Sequence, residues 1–287
     1  MSGFGFTESQ EMFRQEVRNF ARRELAPGAK ARAKGDTIPL DLWKKVANAG
    51  FTGINLPEEY GGQPADWVTV GILIEEVGRV EFALYHPILM GIAAGIVLKE
   101  SSEEVRREWL PAVIRGDRII CLALTEPGCG SDAAALTTRA VRDGDHYAIS
   151  GEKTSITQGM QADAALLFAK TDPAARARGV SCFLVPLDLP GVVRSGLPTM
   201  GFRPLKAASI ILDGVRIPAR YRMGEEGRGF HMVMGQFDVI RPCLGLAALG
   251  AAQASLEEAI AYAKQRTAFG QPIGKFEGVS FKIAEHL

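Results

Sequence analysis

The sequence has no excess of either charge: 33 Lys and Arg residues balance 33 Asp and Glu in a chain of 287 residues. Without a net field, nucleic acid and anionic membrane surfaces have no global electrostatic hold on it. Cysteine is scarce, and Cys121, Cys129, Cys182 and Cys243 form no CxxC pair. The histidines His86, His146, His231 and His286 stand at no ligand spacing from them. Both facts argue against structural zinc and against a disulfide framework. "MSGFGFTESQEMFRQEV" at the N-terminus lacks the basic and apolar regions of a signal peptide. No apolar run is expected to reach the length of a membrane span, because "FALYHPILMGIAAGIVL" contains a histidine and a proline and suits a buried helix. Scattered thiols and no leader make the cytoplasm the expected location. Clear repeats, low-complexity tails, Walker A spacing and the dinucleotide G-x-G-x-x-G spacing are all missing.

What is present is the composition of a globular protein, 47% hydrophobic and 23% charged, long enough for two or three compact units. The first third reads as helix. "TESQEMFRQEVRNFARREL" opens with Thr7 as N-cap and Gln10 three residues on, a capping-box pattern. "LDLWKKVANAG", "WVTVGILIEEVGRV" and "PILMGIAAGIVLKES" follow, and "SEEVRREWLPAVIRGD" has Ser102 as its cap. "NLPEEYGGQPAD" is a turn-rich connector. From about Ile119 the pattern changes to short β-rich runs: "RIICLAL", "TTRAVRDGDHYAISGEKTSIT", "ALLFAKT", "SCFLVPL" and "SIILDGVRIP". Turn signals at Asp143-Gly144 and Asp213-Gly214 are expected to separate strands. After "GEEGRGF" a long Ala-rich helical segment begins, in which Pro242 should kink the helix or mark its true start. The expected class is α+β multidomain. An all-α domain spans 1–117, a middle antiparallel β barrel or sandwich 118–222, and the start of a C-terminal helical bundle 223–287, which reads as incomplete.

One stretch invites a functional question. "LTEPGCGSD", Leu124 to Asp132, packs two glycines, a proline, two hydroxyls and two acids into nine residues. Gly128 and Gly130 would let the backbone approach a ligand and take positive φ. Thr125 and Ser131 offer hydroxyls, and successive N–H groups in such a turn can hold an anion. On local chemistry alone a plain tight turn explains the stretch equally well.

Its companions decide the matter. "NLPEEYGG", "LALTEPGCGS", "SGEKTSITQG", "MGEEGRGF" and "AKQRTAFGQPIGKFE" occur in this order with these gaps, and together they resemble the acyl-CoA dehydrogenase family across essentially the whole chain. The resemblance implies a helical, a β and a four-helix domain, FAD bound between the last two, and a homotetramer. Leu122, Thr125, Gly128, Gly130 and Ser131 match the loop that lines the flavin, with Ser131 also meeting CoA. Ser155, Ile156 and Thr157 match the family's W-I-T flavin contact, Ser155 standing where the Trp would be. Loss of that aromatic contact frees space at a cost of about 1 kcal/mol and hints at a bulkier or cyclic acyl group. Asp238 and Arg241 in "FDVIR" match the CoA-holding stretch, although an i,i+3 ion pair would explain them without a ligand. Arg266, Thr267 and Phe269 match residues that reach the FAD pyrophosphate of a neighbouring subunit. Glu277 stands where the family has a Gln.

The resemblance implies α,β-dehydrogenation of an acyl-CoA, with electrons passed to an electron-transferring flavoprotein. No catalytic base is identified. Most members carry it in a later part of the C-terminal domain than this chain includes. A minority carry it at the position of Ile240, which has no proton-accepting group. Asp238, Glu75, Glu76, Glu126 and Asp132 each read better as positioning or structural acids. The contrasting reading is therefore a flavin- and CoA-binding scaffold without a base, and an acyl-CoA oxidase is a further alternative.

Overall fold

The computed structural model describes residues 5–35 and 37–286. Helix α1 (Glu8–Phe20) is opened by the expected capping box, the Thr7 side chain accepting from the Gln10 N–H and the Gln10 side chain from the Thr7 N–H. A π-turn, Ala21–Leu25, continues it. Then come α2 (Ala29–Lys34), α3 (Leu40–Asn48), α4 (Trp67–Gly78), α5 (Tyr85–Leu98) and α6 (Glu103–Ile114). Asp66 caps α4 and Ser102 caps α6 through their side-chain oxygens. These helices bury Val17, Trp43, Val46, Leu73, Ile74, Ile88 and Ile92 in one core.

The β region comprises β1 (Ile120–Ala123), β2 (Arg139–Asp143), β3 (His146–Ile156), β4 (Ala164–Lys170), β5 (Val180–Pro186), β6 (Val192–Gly196), β7 (Ala208–Pro218) and β8 (Arg222–Met223). They form a single eight-stranded sheet in the order β6-β7-β3-β2-β4-β5-β8, with β1 paired to β4. Most pairings are antiparallel, as the strand pattern anticipates. However, β1 runs parallel to β4, and β2 meets β4 in parallel at Arg139↔Lys170. The Asp143-Gly144 signal does make a hairpin, with Gly144 at φ 61°. Asp213-Gly214 does not separate strands. Strand β7 runs through it and only shifts register opposite Ile149 and Gly151, and the Gly214 N–H is taken by Ser150 Oγ at 3.1 Å. A turn dipeptide inside a strand makes a bulge when the partner strand supplies an acceptor.

Helix α7 (Gly229–Gln265) ties the two units together. Its Val233 lies in the β core, whereas Cys243 and Ala247 lie in the helical core. Pro242 is neither a start nor a stop, because the helix passes through it. Pro242 faces solvent, so the carbonyl it frees one turn earlier can be hydrated. Beyond α7, β9 (Thr267–Ala268) and β10 (Gln271–Pro272) form a small hairpin, and α8 (Glu277–Ala284) follows. Contrary to the apolar-run expectation, α7 is long and apolar enough, by length and composition, to cross a membrane. One side of it packs on α4, α5 and β5, and Leu244, Leu249 and Tyr262 are exposed.

The α4–α7 crossing depends on two glycines. A Cβ added at Gly250 would lie 2.1 Å from the Glu75 carbonyl oxygen, and one at Gly78 would lie 2.5 Å from the Ala247 carbonyl oxygen. Backbone cannot yield as a side chain can, so the two helices approach closely only because both positions are bare. Gly245, in the same helix, has nothing within 4 Å. Gly250→Ala should therefore lower the melting temperature, overpacking costing about 1–3 kcal/mol. Gly245→Ala should raise it, by roughly 0.5–1 kcal/mol. Thermal unfolding of the two variants checks the opposite signs.

Candidate active site

The loop after β1 is built around one carboxylate. Glu126 and Cys129 exchange backbone hydrogen bonds of 3.0 and 3.1 Å across Pro127-Gly128, which closes the turn. The Glu126 side chain, 5% exposed, accepts from the Thr137 N–H (2.6 Å) and hydroxyl (2.8 Å), and from the Thr138 N–H (2.9 Å) and hydroxyl (2.5 Å). Lys153 Nζ, fully buried, donates to Glu126 Oε1 at 2.8 Å and to the Leu124 carbonyl at 3.0 Å. The Thr154 N–H donates to the Thr125 carbonyl at 2.9 Å. The "LTEPGCGSD" loop and the end of β3 are thus joined as one piece.

Electrostatics follow from that geometry. Burial alone would raise the Glu126 carboxyl, but hydrogen bonds from Lys153, Thr138 and the Thr137 N–H bring it down to about 2. Burial lowers the Lys153 ammonium, and Glu126 opposes the shift. With every acceptor direction of Glu126 occupied, this acid positions the loop and is not available as a base.

The loop's outer face is left open. No heavy atom would meet a Cβ within 4 Å at Gly128 or Gly130. Neither glycine takes the expected positive φ; tight closure falls on the Glu126–Cys129 exchange instead, and the two glycines contribute bare, exposed backbone. Ser155, exposed, is the residue at φ 57°, where the β3–β7 register shifts between Lys153 and Ile156. That irregularity keeps Ile156 buried and leaves Thr157 half-buried. Among the described residues, the hydroxyls of Thr125, Ser131, Ser155 and Thr157 make no hydrogen bond, whereas those of Thr137, Thr138, Thr154 and Ser209 are all engaged. Four unspent hydroxyls and two bare glycines on joined segments fit a polar, planar cofactor.

The other sequence candidates lie elsewhere. Leu122 is half-buried and packs against both cores, at the seam between the units. Asp238 and Arg241 are exposed on α7 and form no ion pair with each other among the described residues; Arg241 lies over the Phe237 ring at 5.2 Å. Ile240 packs against the helical core. Glu76, 1% exposed, is bound by Arg14, Arg18 and Arg79, and Glu75 by Arg14, so both are structural. Arg266 and Phe269 sit past the far end of α7, roughly 50 Å along a helix of this length from Phe230. The β9–β10 turn holds Phe269 at φ 52° and Gly270 at φ 80°, and leaves Phe269 95% exposed. Glu277 opens α8, where a helix N-terminus favours an acid.

Two groups behind Thr157 were not signalled by the sequence. Gln158 is 1% exposed, and its amide and the buried His86 Nδ1 lie near each other without a fully formed hydrogen bond among the described residues. Burial brings the His86 imidazole down to about 4, against a weaker pull from Gln158. Lys153 was also not singled out from the sequence, although a signal for it exists. It shares the inward parity of Tyr147 and Ile149 on β3.

Family models describe the same three parts. The N-terminal, middle and C-terminal domains of acyl-CoA dehydrogenase match residues 7–117, 121–215 and 227–287. An acyl-CoA dehydrogenase of Bacillus subtilis (strain 168) is 38% identical over 282 residues, covering 97% of this chain and 74% of the relative. The structure of an acyl-CoA dehydrogenase from Geobacillus kaustophilus superposes with a TM-score of 0.93 at 34% identity, over 99% of this chain and 76% of the other. A glutaryl-CoA dehydrogenase from Mycobacterium smegmatis in complex with FADH2 superposes with a TM-score of 0.91 at 31% identity, over 98% and 72%. The chain belongs to the acyl-CoA dehydrogenase family. It is an FAD-dependent enzyme of that family.

Two measurements test the site. Glu126→Gln leaves a buried ammonium without a counter-charge and should cost about 3–5 kcal/mol in denaturant unfolding. Lys153→Met should cost less, because Glu126 keeps its four threonine donors. Equal losses would contradict this ordering. In the folded state His86 stays neutral down to about pH 4, while the unfolded chain takes its proton near 6.5. Its contribution to stability is thus intact above pH 6.5 and falls with acidification through 6.5 to 4, by up to roughly 3 kcal/mol. His86→Gln should flatten the pH–stability curve across that window.

Proposed function

We propose that the chain carries out FAD-dependent α,β-dehydrogenation of an acyl-CoA thioester to an enoyl-CoA, with electrons passed on to an electron-transferring flavoprotein. The observation that carries this reading is the prebuilt edge formed by Thr125, Gly128, Gly130, Ser131, Ser155 and Thr157, fixed by Glu126 and Lys153. When bound, FAD supplies the acceptor for a hydride from the thioester β-carbon. This chain's own part is to bind and orient. Thr125 and Thr157 hold the ring's polar edge, Leu122 and Ile156 form apolar wall, and Ser131 meets the CoA arm. Arg241, held by the Phe237 face, meets the CoA from α7 with Asp238 beside it.

Arg266 and Phe269 serve a second copy in this reading, as members of a homotetramer. The length of α7 supports it, since hairpin residues so far along the helix cannot reach their own chain's loop. The division at 1–117, 118–222 and 223–287 follows the switch from helix to sheet and back. Four buried, unpaired thiols support a reducing, cytoplasmic setting.

A second reading is favoured by one observation. Ile240 packs against the helical core, and Glu75, Glu76, Glu81 and Glu126 are all engaged by donors, so among the described residues no buried carboxylate is left to take the α-proton. A chain with this equipment alone would bind flavin and CoA without turning over.

Anaerobic titration of the purified flavoprotein with straight, branched and cyclic acyl-CoA thioesters separates the two. Bleaching of the flavin absorbance is the expected result, and binding without bleaching for every thioester would favour the scaffold. Peroxide formed in air would indicate an oxidase. Arg241→Ala should raise the dissociation constant for acyl-CoA about tenfold at unchanged flavin content.

A further inference from the structure

At the opposite end of β1 from the flavin loop lies a second cleft, of about 610 Å³. It is walled by Glu108 and Trp109 of α6, Arg118 just before β1, the Met160–Asp163 loop, and residues following β5 and β7. Roughly 13 Å of strand separates it from Leu124, so it is not part of the edge that faces the flavin.

Among the described residues, the charged side chains of this cleft are engaged except Arg118 and Asp188. Arg220 pairs with Glu104 at 2.6 Å and Glu108 at 3.4 Å. Glu108 also accepts from the Tyr221 hydroxyl at 2.7 Å. Arg194 Nη1 donates to the carbonyls of Gly159, Met160 and Ala162. Asp163 accepts the Ile119 N–H at 2.7 Å. Asp188 stands exposed at the rim. The Arg118 side chain has no hydrogen bond and no ion pair among the described residues, and its Nη1 is buried without an acceptor. Its guanidinium is held over the Trp109 ring at 4.3 Å.

A guanidinium held over an indole ring has lost much of its rotamer freedom before any ligand arrives. Arg118 lines the cleft as a cation with no counter-charge among the described residues, and an oxyanion is the partner that such a guanidinium takes best. We propose that this cleft binds the phosphate or carboxylate group of a small molecule, with Arg118 as its principal ligand.

The test uses the FAD-loaded protein in buffer of low ionic strength, free of phosphate and carboxylates. Inorganic phosphate and succinate are titrated separately by calorimetry into the wild type, Arg118→Gln, Arg118→Lys and Arg241→Ala. The expected result is saturable binding of one equivalent per chain by at least one of the two. It should weaken at least tenfold in Arg118→Gln, less in Arg118→Lys, and be unchanged in Arg241→Ala, which lies on α7 away from the cleft. The tighter of the two ligands identifies the oxyanion. Retained flavin absorbance and melting temperature verify that Arg118→Gln is folded, and Arg118→Lys provides the comparison if it is not. Absence of saturable binding of either ligand, equal binding in the Arg118 variants, or loss of binding in Arg241→Ala would overturn the proposal.

Discussion

A buried ion pair, Glu126 with Lys153, sets the relation between the two segments from which the cofactor edge is made. Each partner alone would be a liability in this interior. An isolated buried ammonium or carboxylate carries a penalty of several kcal/mol, and only their contact at 2.8 Å with four threonine donors makes it tolerable. The consequence is geometric more than energetic. With Glu126 fixed between Thr137, Thr138 and Lys153, Pro127, Gly128, Gly130 and Ser131 project outward while Cys129 turns in, and Thr125 lies beside Thr154. Among the described residues, no group bonds the hydroxyls of Thr125, Ser131, Ser155 and Thr157, which leaves them for a ligand.

The second constraint is the long helix that joins two cores. Helix α7 contributes Val233 to the β core and Cys243 and Ala247 to the helical one, and bare glycines let it sit against the α4 backbone. The domains are consequently fixed to each other on either side of Leu122 and Ile119, which pack against both cores. Site and scaffold share residues here. Glu75 and Glu76 hold α1 to α4 through arginines, which removes them from any proton chemistry, and Ile240 belongs to the packing.

Much of this was legible in the sequence. Caps at Thr7 and Ser102, the helical first third and the change to strands near Ile119 follow from periodicity and side-chain chemistry, and the structure has them. Five ordered motifs pointed to the family. Long-range pairing was less legible, because it depends on what a distant segment supplies. Asp213-Gly214 reads locally as a turn, and only Ser150 across the sheet makes it a bulge. Gly128 and Gly130 look like positive-φ residues until the Glu126–Cys129 exchange is seen to close the turn. Pro242 reads as a breaker because its exposure cannot be read from its neighbours. Arg118 carries no sequence signal at all, since its lack of a partner is a property of the fold.

The central claim is that the cofactor edge exists before the cofactor binds, held by Glu126 and Lys153. Backbone amide exchange at Thr137, Thr138 and Thr154, followed by NMR with and without FAD, tests it most directly. Slow exchange at all three amides in the FAD-free protein, changed little by FAD, is the predicted result. Exchange that is fast in the FAD-free protein and slows only after FAD is added would contradict the account, because the loop would then be organised by its ligand.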